Sequence, residues 1–153
     1  MAIGWGFIGT GRYPDRSGAP AMALAKDTEL VATYSRDMGR AESFAKKHGF
    51  LAAYDSLENL LGDSRVDAVF IASPNHLHAE YTQMAANAGK HVLVEKPLAL
   101  DRDELNRVIA ARNRADGFFQ VGFNRRFAPL AVRAREHLAA MPGAKFLLDR
   151  KST

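Results

Sequence analysis

Cysteine is missing altogether from the 153 residues, which excludes disulfides, a thiol nucleophile and Cys-ligated metal or iron–sulfur centres. No apolar run approaches the roughly 18 residues that a membrane-spanning helix needs. The N-terminus lacks a basic segment followed by a cleavable apolar one, so no secretory signal is read there. Basic and aromatic residues are nowhere mixed in one tract, which argues against a nucleic-acid partner despite a net charge of +4 and a pI near 9.6. Internal repeats and low-complexity segments are absent as well. By default these absences leave a cytoplasmic protein with neither a membrane nor a nucleic acid as partner. What is present is ordinary globular material, 47% hydrophobic and 25% charged. A chain of this length can bury about two-thirds of its unfolded surface in one domain. Its positive charge suits an anionic ligand or a solvated basic surface.

The stretch that organises the rest is Ile3-Gly4-Trp5-Gly6-Phe7-Ile8-Gly9-Thr10-Gly11-Arg12. Ile3, Trp5, Phe7 and Ile8 suit a buried parallel strand, and Gly9 and Gly11 break it. A strand running into close glycines and then a helix is the front of a dinucleotide-binding unit. The first glycine allows the turn, and the second lets backbone approach a pyrophosphate at the helix N-terminus. The third glycine of the pattern is missing. Pro14 occupies its place and Gly18 comes four residues later, so residues 12–18 read as an extended, lengthened turn, with the first helix over 19–25.

Further strands are expected at 29–34, 51–54, 66–72, 91–94 and 118–123. Helices are expected over 38–47, from 56, over 76–88, over 101–115 and beyond Phe127. Asp37, Asn75 and Asp101 stand where helix N-caps belong, Asp101 with Glu104 as a capping box. Gly49 and Gly89 read as helix stops. Leu77, Tyr81, Met84, Ala85 and Ala88 form one apolar stripe, and Leu105, Val108 and Ile109 another. Strands and helices alternate with short connections, which predicts an α/β fold with a doubly wound, Rossmann-type parallel sheet of about six strands. After Pro142-Gly143, Lys145-Phe146-Leu147-Leu148 reads as the start of another strand. The division expected is a nucleotide-binding domain over 1–126, then over 127–153 a linking helix and the beginning of a second, substrate domain that the chain lacks.

Five segments in this order resemble the glucose–fructose oxidoreductase/inositol dehydrogenase family, written Gfo/Idh/MocA. They are Gly6-Phe7-Ile8-Gly9-Thr10-Gly11-Arg12, Tyr34-Ser35-Arg36-Asp37, Ser73-Pro74-Asn75-His76-Leu77-His78, Glu95-Lys96-Pro97-Leu98 and Gly122-Phe123-Asn124-Arg125-Arg126-Phe127. The Glu-Lys-Pro segment, placed after a strand, is the specific part. The resemblance implies an NAD(P)-dependent oxidoreductase acting on a sugar, inositol or related polyol or carbonyl, and working as a homo-oligomer. It also implies an N-terminal Rossmann domain paired with a C-terminal substrate domain.

Within that frame Lys96 is the candidate catalytic residue. Hydride transfer at a carbinol needs a group that takes or returns the hydroxyl proton, and a Lys after a buried strand at the carboxyl edge of the sheet can do so. Glu95 beside it would orient it or touch the nicotinamide ribose. Gly9, Thr10, Gly11 and Arg12 form the expected diphosphate turn. Ser35 and Arg36 stand where an acid would bind the adenine ribose of NAD, so NADP(H) is preferred and NAD(H) remains possible, with Asp37 able to reach the ribose or to cap a helix. Ser73, Pro74, Asn75 and His78 line the loop expected near the nicotinamide half, and Asn124 and Arg126 could reach from the sixth strand. His76 and His78, two apart on a helix, face different sides, so no metal site is expected. Two other readings are a non-catalytic dinucleotide-binding or sensor module, which would not need Lys96, and a methyltransferase, which expects an acid where Ser35 stands. As given, the chain is expected to bind cofactor without catalysing, and to associate through apolar residues near its C-terminal end.

Overall fold

A computed structural model of the chain describes residues 2–143. They divide into two compact units, Met1–Gly122 and Phe123–Thr153. The expected strand at 145–148 lies outside the described residues.

The first unit is a six-stranded sheet in the order β3-β2-β1-β4-β5-β6, and all its paired strands are parallel. The strands are β1 Ile3–Ile8, β2 Thr28–Tyr34, β3 Ala52–Tyr54, β4 Ala68–Ile71, β5 His91–Val94 and β6 Phe119–Val121. The connecting helices are α1 Ala19–Leu24, α2 Met38–His48, α3 Leu57–Gly62, α4 His78–Asn87 and α5 Arg102–Arg114. This order is the doubly wound one, in which β1 and β4 lie side by side where the winding reverses.

Alternation along the central strands sorts side chains into two cores. Phe7 of β1 and Phe70 of β4 meet Ala19 of α1 and Phe44 of α2. Phe7 packs edge-on against both Phe50 and Phe70, with ring centroids 5.1 and 5.0 Å away, a geometry favoured by the ring quadrupoles. On the opposite face Ile8, Val69, Ile71 and Val94 pack with Leu57, Leu60 and Leu61 of α3 and Tyr81 and Ala85 of α4. Every residue of β4 is buried, as a central strand covered on both faces should be.

Several local expectations need correction. Residues 12–18 are helical rather than extended: the helix begins directly after the glycine turn, where Asp15 N donates to Gly11 O at 3.0 Å, and Pro14–Gly18 form a π-helical segment that runs into α1. Pro14 is tolerated because it sits in the first turn, where its missing N–H has no carbonyl to serve. Asn75 does not cap α4; it opens a single 3-10 turn, Asn75–Leu77, with no side-chain cap. Ala88, just past the end of α4, is exposed, while His78, Ala79 and Thr82 within it are buried. In α5 Leu105 and Ile109 stay exposed, and Val108 and Ala111 face inward. Glu104 accepts from Leu100 N at 2.8 Å instead of from Asp101 N, although Asp101 does cap the helix through Glu104 N at 2.8 Å.

The second unit holds a 3-10 turn, Asn124–Phe127, and α6, Pro129–Ala140, in which no residue is buried. Among the described residues no helix is long and apolar enough to cross a membrane.

Candidate dinucleotide site

At the carboxyl ends of β1, β2 and β4 lies a cavity of about 340 Å³. The strand-end position is where ligands of open α/β sheets bind.

Its floor is the glycine turn. Gly9 has φ +116°, a region L side chains rarely adopt, and a Cβ there would stand 2.7 Å from Ala72 O and 3.0 Å from Ser73 N. Glycine is therefore required twice, by the backbone and by the approach of the β4 loop. Around Gly11 there is open space within 4 Å, so a ligand can come up to its backbone. Gly18 performs the packing duty of the missing third glycine from a position one turn further on. A Cβ there would lie 2.8 Å from Phe70 Cε1 and 3.4 Å from Phe7 Cε2. The segment joining Pro14 to Gly18 is the π turn, so the helix still reaches the sheet closely.

The wall at the end of β2 is basic. Ser35, Arg36 and, from α2, Arg40 line the cavity, and Arg12 lines it from the other side; no Asp or Glu does. Asp37 is occupied elsewhere. Its carboxylate accepts from Arg40 N at 2.9 Å as the N-cap of α2, and its own N–H donates to Ser35 Oγ at 3.3 Å. Arg40 escapes a reading of the strand-end motif because it belongs to the helix.

The third wall comes from the β4–α4 segment, with Ala72, Ser73, Pro74, Leu77 and Tyr81. The Ser73 hydroxyl oxygen is buried and finds no hydrogen-bond partner among the described residues. Burial, and then a hydrogen bond with Tyr34, push the Tyr81 phenol up to about 12, and it stays a neutral hydrogen-bonding group at ordinary pH. Tyr13, Tyr34 and Tyr81 were not named as site residues from sequence, where Tyr34 ended the second strand and Tyr81 belonged to an apolar helix stripe.

Of the residues singled out from sequence, Gly9, Thr10, Gly11, Arg12, Ser35, Arg36, Ser73 and Pro74 come together around this cavity. Asn75, His78, Glu95 and Lys96 do not line it. Lys96 is exposed in the loop after β5, and its bond to Pro97 is cis. His78 is 1% exposed and both ring nitrogens face backbone carbonyls, Pro97 O from Nδ1 at 2.7 Å and Ser73 O from Nε2 at 2.8 Å. Neither nitrogen is left for a cofactor or a metal. Asn124 and Arg126 belong to the second unit, where the Arg126 guanidinium sits 5.6 Å from the Phe127 ring centre. Among the described residues no three His, Asp or Glu side chains are grouped as a metal site.

Comparison with known proteins agrees with this geometry. The family model described as an oxidoreductase family with an NAD-binding Rossmann fold matches residues 3–123. The chain is 41% identical over 140 residues to a D-xylose 1-dehydrogenase (NADP(+)) of Haloferax volcanii, covering 92% of this chain and 43% of that protein. It is 36% identical to the scyllo-inositol 2-dehydrogenase (NADP(+)) of Bacillus subtilis, covering 89% and 41%. Among solved structures, a 3-ketoreductase from Actinomadura kijaniata in complex with NADP superposes with a TM-score of 0.84 at 32% identity, covering 91% of this chain and 44% of that one. The chain thus spans less than half the length of these relatives.

Proposed function

The chain belongs to the Gfo/Idh/MocA oxidoreductase family with its NAD-binding Rossmann fold, and we propose that it supplies the NADP(H)-binding domain of a dehydrogenase or reductase. The observation that carries the cofactor choice is the wall at the end of β2. Ser35, Arg36 and Arg40 line it and no carboxylate does, while Asp37 caps α2 with one oxygen and lies 3.8 Å from the Arg40 guanidinium with the other. An acid there would hold the ribose hydroxyls of NAD, whereas guanidinium groups hold the 2′-phosphate of NADP. Thr10, Gly11 and Arg12 would take the diphosphate on backbone N–H groups, while Gly9, whose own N–H donates to Tyr34 O at 3.1 Å, shapes the turn beneath it, and Ser73 and Pro74 close the opposite side.

NADP(H), when bound, supplies the hydride acceptor or donor. Lys96 exchanges the proton of the substrate oxygen from the loop after β5, and Glu95 orients it. A sugar, polyol or related carbonyl is the substrate class, supported by the activities for which the D-xylose and scyllo-inositol relatives are named. The domain boundary falls near residue 126, with the remainder leading towards the substrate side.

Calorimetric titration of the chain with NADPH and NADH tests the reading. NADPH is expected to bind more tightly, and equal or reversed affinities would overturn the cofactor choice. Absence of binding to either would overturn the site itself.

A further inference from the structure

The residue best placed to connect the nucleotide cavity with Lys96 is one that touches neither. His78 is the first residue of α4, and its ring is almost fully buried between two loops. One loop follows β4 and carries Ser73, a wall of the cavity. The other follows β5 and carries Lys96 and Pro97. These strands are neighbours, paired in parallel from Ala68↔His91 to Ile71↔Val94, but their ladder ends where the loops begin. The last rung is Glu95 N to Ile71 O at 2.9 Å. Beyond it, the His78 ring spans the gap, with contacts of 2.7 Å to Pro97 O and 2.8 Å to Ser73 O.

Carbonyl oxygens only accept, so a ring nitrogen that carries a hydrogen donates to the carbonyl it faces. Asn or Gln has no rigid ring with nitrogens at opposite edges that could span the two loops. A hydrophobic residue would leave two buried carbonyls facing no donor from this side chain.

We propose that His78 is a positioning residue, a buried clamp that fixes the Lys96 loop to the wall of the nucleotide cavity. The role rests on the reading of Lys96 as the proton-transfer group, although the clamp itself is a property of the fold and can be tested without turnover.

Nitrogen-15 NMR of the chain tests it in two ways. Spectra of the wild-type ring should show a nitrogen-bound hydrogen of His78 that exchanges slowly with solvent, as one held in a buried hydrogen bond does. A fast-exchanging ring hydrogen would overturn the clamp, and this measurement needs no variant to fold. In His78→Gln the amide signals of Lys96 and Leu98 should broaden or double, while those of Val69 and Val92 in the neighbouring strands stay single. Single, unshifted Lys96 and Leu98 signals in the variant would also overturn it. A residue that only adds stability would lower the melting temperature and leave those signals sharp. NADPH affinity of the variant should stay within about threefold of wild type. A larger loss would mean that His78 supports the cavity itself rather than Lys96. Failure of the wild type to bind NADPH would instead strike the proposed function and leave the clamp standing.

Discussion

At the ends of β1 and β2 the groups offered to a ligand are open, whereas at the ends of β4 and β5 the connecting group is hidden. Gly11 has nothing within 4 Å of where a Cβ would be, and Arg36 and Arg40 are exposed. His78, by contrast, is 1% exposed and fully engaged. The two tasks proposed for these regions account for the difference. A diphosphate and a ribose phosphate are held by backbone N–H groups and mobile guanidinium arms, which need space and benefit from the ligand's own charge. A proton-transfer side chain must be held in place before the ligand arrives, and buried hydrogen bonds do this best because water does not compete for them.

The sharpest way to break the open side is Gly9→Ala. The positive φ alone should cost about 1–3 kcal/mol, and the added methyl would overlap the Ala72 carbonyl at 2.7 Å. Titratable NADPH binding is expected to vanish; retention of affinity within about tenfold would show that the turn can shift. On the hidden side, Lys96→Ala in an active form of the protein should lower turnover by roughly 10²–10⁴, the scale of a lost general acid–base group. NADPH affinity should hardly move. Near-normal turnover would reduce Lys96 to a turn residue.

Arg36→Ala should weaken NADPH by about 1.5–3 kcal/mol, the scale of a hydrogen bond to a charged group, and NADH much less. The same substitution at Arg40 should act in the same direction, which calorimetry with both nucleotides can compare. Gly18→Ala separates packing from binding. Its Cβ would press on Phe70 at 2.8 Å, so a loss of about 1–3 kcal/mol in denaturant unfolding is expected, with NADPH affinity of the folded protein close to wild type. A stable variant would deny Gly18 the third-glycine role.

The smallest effect concerns acid. A hydrogen bond from Arg65, helped by the Tyr54 hydroxyl at 3.1 Å, holds the Asp63 carboxyl well below its ordinary value of 3.8. Asp15 is lowered too, first by its hydrogen bond with Lys47 and then by that with His48. The unfolded chain takes up these protons more readily, so their stabilisation is present above the ordinary carboxylate range and is lost as pH falls below it. Melting temperatures taken downwards from pH 5 should fall less steeply for Asp63→Asn than for wild type. Parallel curves would remove Asp63 from the account.

Much of this architecture was legible in the residue pattern. The alternation of β-branched runs with amphipathic stretches located six strands in order, and Asp37, Gly49 and Asp101 marked helix ends through short-range chemistry that needs no distant partner. Gly9 and Gly11 announced the turn for the same reason. The strand-end residues Ser35 and Arg36 were equally readable, since the end of β2 always delivers its residues to the same edge.

What escaped the sequence depended on neighbours far along the chain. Pro14 suggested a broken turn, yet tertiary packing continued the helix through a π segment because Gly18 could sit against Phe70, 52 residues away in the strand beside β1. Leu105, Val108 and Ile109 all looked inward by periodicity, but only Val108 is buried, together with Ala111, in a helix that packs against α4. His78 read as a cofactor contact by its place in a motif. Only the folding of two loops onto it, through carbonyls that carry no residue identity, turned it into a buried link between Ser73 and Pro97. Local periodicity and capping are written in consecutive side chains and so can be read one segment at a time. Backbone partners from distant segments leave no such mark, and the tertiary structure alone decides them.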